Sequence, residues 1–272
     1  MTAENLVEQS QVEARAPGRF AWHVPGGWEQ GRGAYGGIVL AAMTRAMLEG
    51  EDPERRPRSL SASLMAPVEA SAQAGEAEIK VERLRVGNAV TTTTALLVQG
   101  GEIKAHAMVV TGRDRASGHR LTSPPPALRG SWRDVPVSEA VKPPLAPIVV
   151  QHWEIRALPP YPFGGGQVAE ANAWVRPRVP WQVTGAPELA ALSDVLWPGT
   201  FAIERGPRPT ATIAFHLAFG WPERGALDPS EPLFHRGVVV RGSDGYFTEV
   251  RELWTASGEL VCHNPQVFAW IK

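Results

Sequence analysis

The chain has 272 residues, 43% hydrophobic and 20% charged, with a formal net charge of −1. That length suits two modest domains or one duplicated one. The near-neutral charge gives no basic surplus to engage a phosphate backbone, so nucleic acid is not an expected partner. A single cysteine excludes an internal disulfide and any cysteine-based metal cluster.

The opening MTAENLVEQSQVEARAPGRF is polar and acidic, without the positive start and apolar run of a secretory signal. The apolar stretches fall short of the roughly 20 residues that cross a bilayer. A cytoplasmic protein with no membrane contact is the expectation. Phe20–Val24 reads as a short strand and the glycine-rich GGWEQGRGAYGG after it as a loop. Ile38–Glu49 is apolar nearly all round and meets the breaker Gly50, so it reads as a helix buried on most sides. Four strand-like runs come next: Ser59–Ala66, Ala77–Leu84, Ala89–Gln99 and Glu102–Thr111. The third, AVTTTTALLV, is rich in β-branched residues, and QGGE after it is a hairpin turn. Residues 15–115 thus form one unit, and residues 116–146, polar and proline-rich, read as a linker on the surface.

Residues 147–272 repeat the order. Ile148–Ala157 and Val168–Val175 read as strands, and Pro187–Trp197 as a helix with proline at its start, where the missing N–H costs nothing. Thr210–Phe219, Leu233–Arg241, Tyr246–Thr255 and Leu260–Trp270 read as strands. One buried helix followed by an antiparallel meander, twice over, predicts an α+β chain. It would be a tandem of two curled antiparallel sheets, each wrapped around a central helix. Two copies in one chain can join their sheet edges, which also blunts aggregation.

The duplication is visible in the letters. At an offset of 150, PRSLSASL (57–64) lies over PRPTATIA (207–214), and VLAAMTRA (39–46) over LAALSDVL (189–196). This frame places Asp194, Thr212 and Gln266 in the second copy against Thr44, Ala62 and roughly Val109 in the first. Asp194 stands in an otherwise apolar helix, and burying a lone carboxylate costs several kcal/mol or raises its pKa. The bland alternative is that it faces solvent. Gln266 follows Pro265, which suits an edge or a bulge, and bulges re-aim side chains beside active sites. Thr212 alone carries little weight. Their joint appearance in one copy, with blanks in the other, points to one site built on the second half and walled by the first.

Other motifs fall away. The G-x-G-x-x-G at Gly31, Gly33 and Gly36 lacks a preceding strand and a following acid at a strand end. It reads as a loop entering the buried helix, and the N–H groups of Gly36 and Gly37 can meet a substrate oxygen there. There is no G-x-S-x-G, and Cys262 reads as core. Seven histidines are scattered without ligand spacing, so no metal is expected. His216, four residues after Thr212, is expected on the same strand face and lining the same cavity.

At these residues the chain resembles the acyl-CoA thioesterase II family, the double-hotdog thioesterases. The resembling segments are AYGGIVLAAMTRAM, RSLSASLMAPV, VERLRVGNAVTTTTALLVQGG, LAALSDVLWP, TATIAFHLAF and GYFTEVRELWTASGELVCHNPQ. The resemblance implies hydrolysis of an acyl-CoA or acyl-carrier thioester without a cofactor, and allows a homo-oligomer. It implies that Asp194, Thr212 and Gln266 hold the attacking water. The first copy departs from the family pattern, with Ser61, Ser63, Met65 and Ala66 where a histidine and an arginine are frequent. Two other classes remain open: a hotdog dehydratase, hydratase or tailoring enzyme on a carrier-bound chain, and a non-catalytic thioester-binding module.

Overall fold

The computed structural model describes residues 3–271 apart from 72, 117–118, 120, 122, 128–130, 140 and 222–225. The first half runs α1 (Leu6–Gln9), β1 (Glu13–Ala16), β2 (Arg19–Trp22), β3 (Glu29–Gln30), β4 (Gly33–Ala34), α2 (Gly36–Leu48), β5 (Arg55–Leu64), β6 (Ala77–Val86), β7 (Val90–Gln99) and β8 (Glu102–Arg113). The second runs β9 (Trp153–Leu158), β10 (Glu170–Pro177), α3 (Ala186–Asp194), β11 (Thr210–Phe219), β12 (Leu233–Ser243), β13 (Tyr246–Trp254) and β14 (Leu260–Trp270).

Twelve of the strands form one antiparallel sheet in the order β1-β2-β6-β7-β8-β5-β11-β14-β13-β12-β10-β9. Read outward from its centre, each side shows the same succession, so the duplication in the letters is a pseudo-two-fold in space. The seam is β5 against β11, with Leu60 opposite Leu217 and Ser63 opposite Ala214. This is a hotdog fold in tandem. Alternation sets the inner face: Thr91, Thr93, Ala95, Leu97 and Gln99 of β7 are all buried. The hairpins at Gly100–Gly101 and Asp244–Gly245 have two successive residues at positive φ, the backbone of a type I′ turn that matches strand twist.

Both central helices lie in the curl of the sheet. In α2, Ile38, Leu40, Met43 and Met47 are at most 1% exposed, each contributing about 1.5–3 kcal/mol by burial. The helices run antiparallel: the start of α2 meets the end of α3 at Gly36 and Asp194, and the end of α2 meets the start of α3 through the Arg45–Glu188 pair.

Several local readings need correction. Ile148–His152 is a 3-10 turn, and the strand begins only at Trp153. The glycine-rich loop contains the short β3–β4 ladder. The second helix stops at Asp194 rather than Trp197, its Val195 N–H turning back to Leu192 O, and Pro198 cannot continue it. Part of the segment read as a linker, residues 117–118, 120, 122, 128–130 and 140, lies outside the described residues. Its described part is pinned: Trp132 packs with Trp174, Phe234 and Trp254. Arg133 also stacks over the Trp132 ring. No helix among the described residues is long and apolar enough to cross a membrane.

Candidate active site

Asp194 is the last residue of α3, so its carboxylate emerges where α2 begins. The nearby backbone N–H of Gly37 helps to hold its pKa down, and the positive end of the α2 dipole favours an anion there. The glycines are small because the approach is close. A Cβ added at Gly36 would lie 2.7 Å from Asp194 Oδ2 and 3.1 Å from Leu64 Cδ1. One added at Gly37 would run into the ring of Tyr35. The Tyr35 hydroxyl donates to Ala191 O, and burial, then the Asp194 charge, hold its pKa well above the ordinary value.

Gln266 reaches the same carboxylate from β14. Its Nε2 donates to Asp194 Oδ1 at 3.4 Å and to Asn264 Oδ1 at 2.7 Å. Its Oε1 accepts from Thr212 Oγ1 at 3.1 Å. The three predicted residues therefore form one hydrogen-bonded chain, with Asp194 7% and Gln266 1% exposed. Because the Thr212 proton is used on Gln266, its oxygen lone pairs remain to accept from a water.

The bulge that helps assemble this chain lies in β11, not in β14. Thr212 pairs with Phe268 while Phe215 pairs with Gln266, with a register shift between Thr212 and Ala214. Pro265 stays in register inside the sheet, opposite Val250. By the same register it faces His216 on β11, where it has no N–H to give. The His216 carbonyl is taken instead by Asn264 Nδ2 at 2.6 Å. Asn264 thus repairs the ladder with one end of its amide and orients Gln266 with the other.

The bulge also overturns the expectation for His216. One extra residue flips the face of the residues after it, so Phe215 and Leu217 point inward and His216 is exposed on the outer face. There its Nδ1 meets Ser61 Oγ at 2.8 Å across the seam.

Sequence reasoning missed the charges behind Asp194. Arg251, 1% exposed, holds Nη1 3.7 Å from Asp194 Oδ1, and its Nε is 2.7 Å from Glu249 Oε1. Glu249 takes the Gly199 N–H at 2.7 Å, and Gly237 leaves room for it, since a Cβ there would lie 2.7 Å from Oε1. The signal was in the strand pattern: Phe247, Glu249, Arg251 and Leu253 share the inward register of β13, so two charges face the core. Burial raises the Asp194 pKa to about 6, against the pull of Arg251, Gln266 and the Gly37 N–H, with Glu249 adding to the rise. His235 Nε2 lies 3.2 Å from Ser193 O. Burial, then Arg251, lowers its pKa to about 3, so it is neutral. Burial pushes the Cys262 thiol far up.

The opposite end of the helix pair has no such chemistry. Thr44, at the place of Asp194, donates to Leu40 O at 2.7 Å. Pro187, at the place of Gly37, has no N–H. Among the described residues, no three His, Cys, Asp or Glu side chains gather as a metal site.

No curated protein matches the sequence. Among solved structures, a conserved hot dog fold protein of unknown function from Alicyclobacillus acidocaldarius is 22% identical, with a TM-score of 0.85 and 98% of each chain covered. A provisionally assigned thioesterase II from Thermobifida fusca is 20% identical, with a TM-score of 0.82, covering 100% of this chain and 99% of its own. The acyl-CoA thioesterase II TesB2 of Mycobacterium marinum is 19% identical, with a TM-score of 0.76 and 98% of each chain covered. Residues 24–112 match the acyl-CoA thioesterase N-terminal domain. Residues 123–269, more than half of the chain, match the acyl-CoA thioesterase C-terminal domain. The chain belongs to the acyl-CoA thioesterase family and is a thioester hydrolase.

Proposed function

We propose that the enzyme converts acyl-CoA to the free acid and coenzyme A by direct attack of one water held by Asp194, Thr212 and Gln266. The observation that carries this is the single hydrogen-bonded chain joining the three at the start of α2. Asp194 takes one proton as the water oxygen bonds to the thioester carbonyl carbon. The tetrahedral intermediate then expels the thiolate, which takes that proton, leaving acid and thiol. A base with a pKa of about 6 is mostly ionised at neutral pH yet still basic enough to accept the proton. Thr212 and Gln266 fix the water's position, which spares the entropy of finding it.

The oxyanion is met by the N–H groups of Gly36 and Gly37. The Gly37 N–H favours the ionised form of Asp194 in the resting site. Once Asp194 is protonated that attraction fades, and the N–H is left for the charge forming on the substrate. His235 is fully buried with its Nε2 turned to Ser193 O, so it offers no imidazole to a substrate, which favours hydrolysis over hydration. The test is thiol release across short, medium, long and aromatic acyl-CoAs. Asp194→Asn is expected to lose at least about 10²-fold on the best substrate, the low end for a general base. An Asn variant with full turnover removes Asp194 from the reaction.

A further inference from the structure

The repeat that exposes the active site also superimposes two arginine pairs. At the offset of 150, Arg55-Arg56-Pro57-Arg58 lies over Arg205-Gly206-Pro207-Arg208. Each segment leads into the central strand of its half, β5 or β11. In the first half both arginines are consumed by the fold. Arg55 donates to Thr91 and to Gly87 O at 2.9 Å, and its Nε lies 3.6 Å from Asp52. Arg58 donates to Gly112 O at 2.8 Å and to Asp114 at 2.5 Å.

In the catalytic half the equivalent pair is left unspent. Arg205 and Arg208 are both exposed, and among the described residues neither has a carboxylate in ion-pair range. Their counterparts in the first half are by contrast both ion-paired, Arg55 with Asp52 and Arg58 with Asp114. The two side chains are nonetheless held in place. Arg205 lies along Gly165, where an added Cβ would come within 3.1 Å of its Cζ. Arg208 stacks on Trp270, with 4.8 Å from Cζ to the ring centre. Prolines 207 and 209 fix the backbone on either side of it, and Pro209 O is tied to the Ile271 N–H at 2.8 Å.

The pair also stands at a suitable reach from the reacting centre. Arg208 comes four residues before Thr212 on the same run of chain, about 13 Å at ~3.3 Å per extended residue. It lies off the end of the sheet where Asp194 and Gly36 meet. The facing end of β5, Ser63 and Leu64, and the Met65 and Ala66 that follow it carry no charge. A thioester whose carbonyl sits at Thr212 and whose sulfur carries a long arm ending in phosphates would bring those phosphates to this rim.

We propose that Arg205 and Arg208 form the subsite for the phosphate groups of the coenzyme A arm. This rests on the acyl-CoA reading above. Guanidinium groups pair with phosphate oxygens through forked, charge-assisted hydrogen bonds, and pre-positioning by Trp270, Gly165 and the prolines lowers the ordering cost on binding.

The experiment compares one acyl group on two thiols: coenzyme A, and N-acetylcysteamine, which carries no phosphate. Wild type, Arg205→Ala/Arg208→Ala and Arg205→Lys/Arg208→Lys are assayed on both, and free coenzyme A binding is followed by calorimetry. The alanine pair is expected to raise KM for acyl-CoA and Kd for coenzyme A about tenfold, since each exposed contact is worth a few-fold. Its kcat should stay within about twofold, and its kcat/KM on the N-acetylcysteamine thioester should not change. The lysine pair should recover part of the loss, and salt should weaken the wild type more than the alanine pair. An alanine pair with unchanged KM and Kd, or one equally impaired on both thioesters, overturns the subsite while leaving the hydrolase intact. A wild-type chain inert on both thioesters instead sinks the functional reading on which the subsite depends.

Discussion

The buried pair Arg251–Glu249 is placed to set the pH at which Asp194, the proposed base, ionises, and removing it gives a signed prediction. The perturbation is Arg251→Met with Glu249→Gln. Taking out Arg251 alone would strand a buried carboxylate at a cost of about 3–5 kcal/mol, whereas the double change removes both charges and keeps similar volume. At 3.7 Å and an effective dielectric of about 20, the Arg251 attraction for Asp194 is worth at most about 4.5 kcal/mol. Glu249, 2.7 Å from the same guanidinium, cancels part of it. Arg251 is the largest influence lowering the Asp194 pKa, and Glu249 the smallest raising it, so the pair as a whole favours the ionised base. Its loss should raise the Asp194 pKa by about one unit, roughly 1.4 kcal/mol. A base acts when ionised, so with Asp194 in that role the acid limb of kcat/KM is expected near pH 6 in the wild type and near pH 7 in the variant. At pH 7 the ionised fraction falls from about nine-tenths to about half. The assay is loss of thioester absorbance from pH 4.5 upward, which needs no thiol reagent. A limb that stays in place or moves down would refute the assignment.

Three further outcomes come from the geometry. The folded-state pKa of Asp194 is about 6 against an ordinary value of 3.8, so the folded chain binds this proton more tightly than the unfolded one. Stability is then full below about pH 4 and falls by up to about 3 kcal/mol as pH rises through 6. Asp194→Asn should therefore melt higher than wild type at pH 7.5 and nearly alike at pH 4, and equal melting at both would refute the burial argument. Gly36→Ala should gain helix propensity of up to about 1 kcal/mol yet lose about 10²-fold in kcat, because the new methyl displaces the carboxylate; a fully active Gly36→Ala would contradict the close approach. His216→Ala should leave kcat/KM within about twofold, since the side chain faces away from Thr212, and a large loss would mean that the outer face takes part.

Much of the fold is legible in the letters. Thr210–Phe219 can be read to the residue because Pro209 and Gly220 bound it sharply, and Leu260–Trp270 because the SGE turn before it marks its start. Asp194 stands out because a carboxylate in an apolar helix needs a reason. The failures have local causes. IVVQH has the β-branched look of a strand, and nothing in its composition shows the 3-10 turn. The bulge in β11 falls in ATIA, where no glycine marks it, so strict alternation puts His216 on the wrong face. Glu249 and Arg251 are readable by alternation, but an exposed strand face explains two charges equally well until the neighbouring strands are known. Short elements such as β3 and β4 are stabilised by Ala34 N–H to Val68 O and by their surroundings, not by their own residues.

The proposed reactive centre is divided between the halves: the carboxylate comes from α3, and the glycine backbone that cradles it comes from α2. Neither half expressed alone would own a complete reaction centre, although mixing the two should restore one. In a dimer of identical hotdogs, any change that spoils one centre spoils its twin as well. In a single polypeptide that constraint is absent, so the far end of the helix pair can carry Pro187 and Thr44 where the near end carries Gly37 and Asp194.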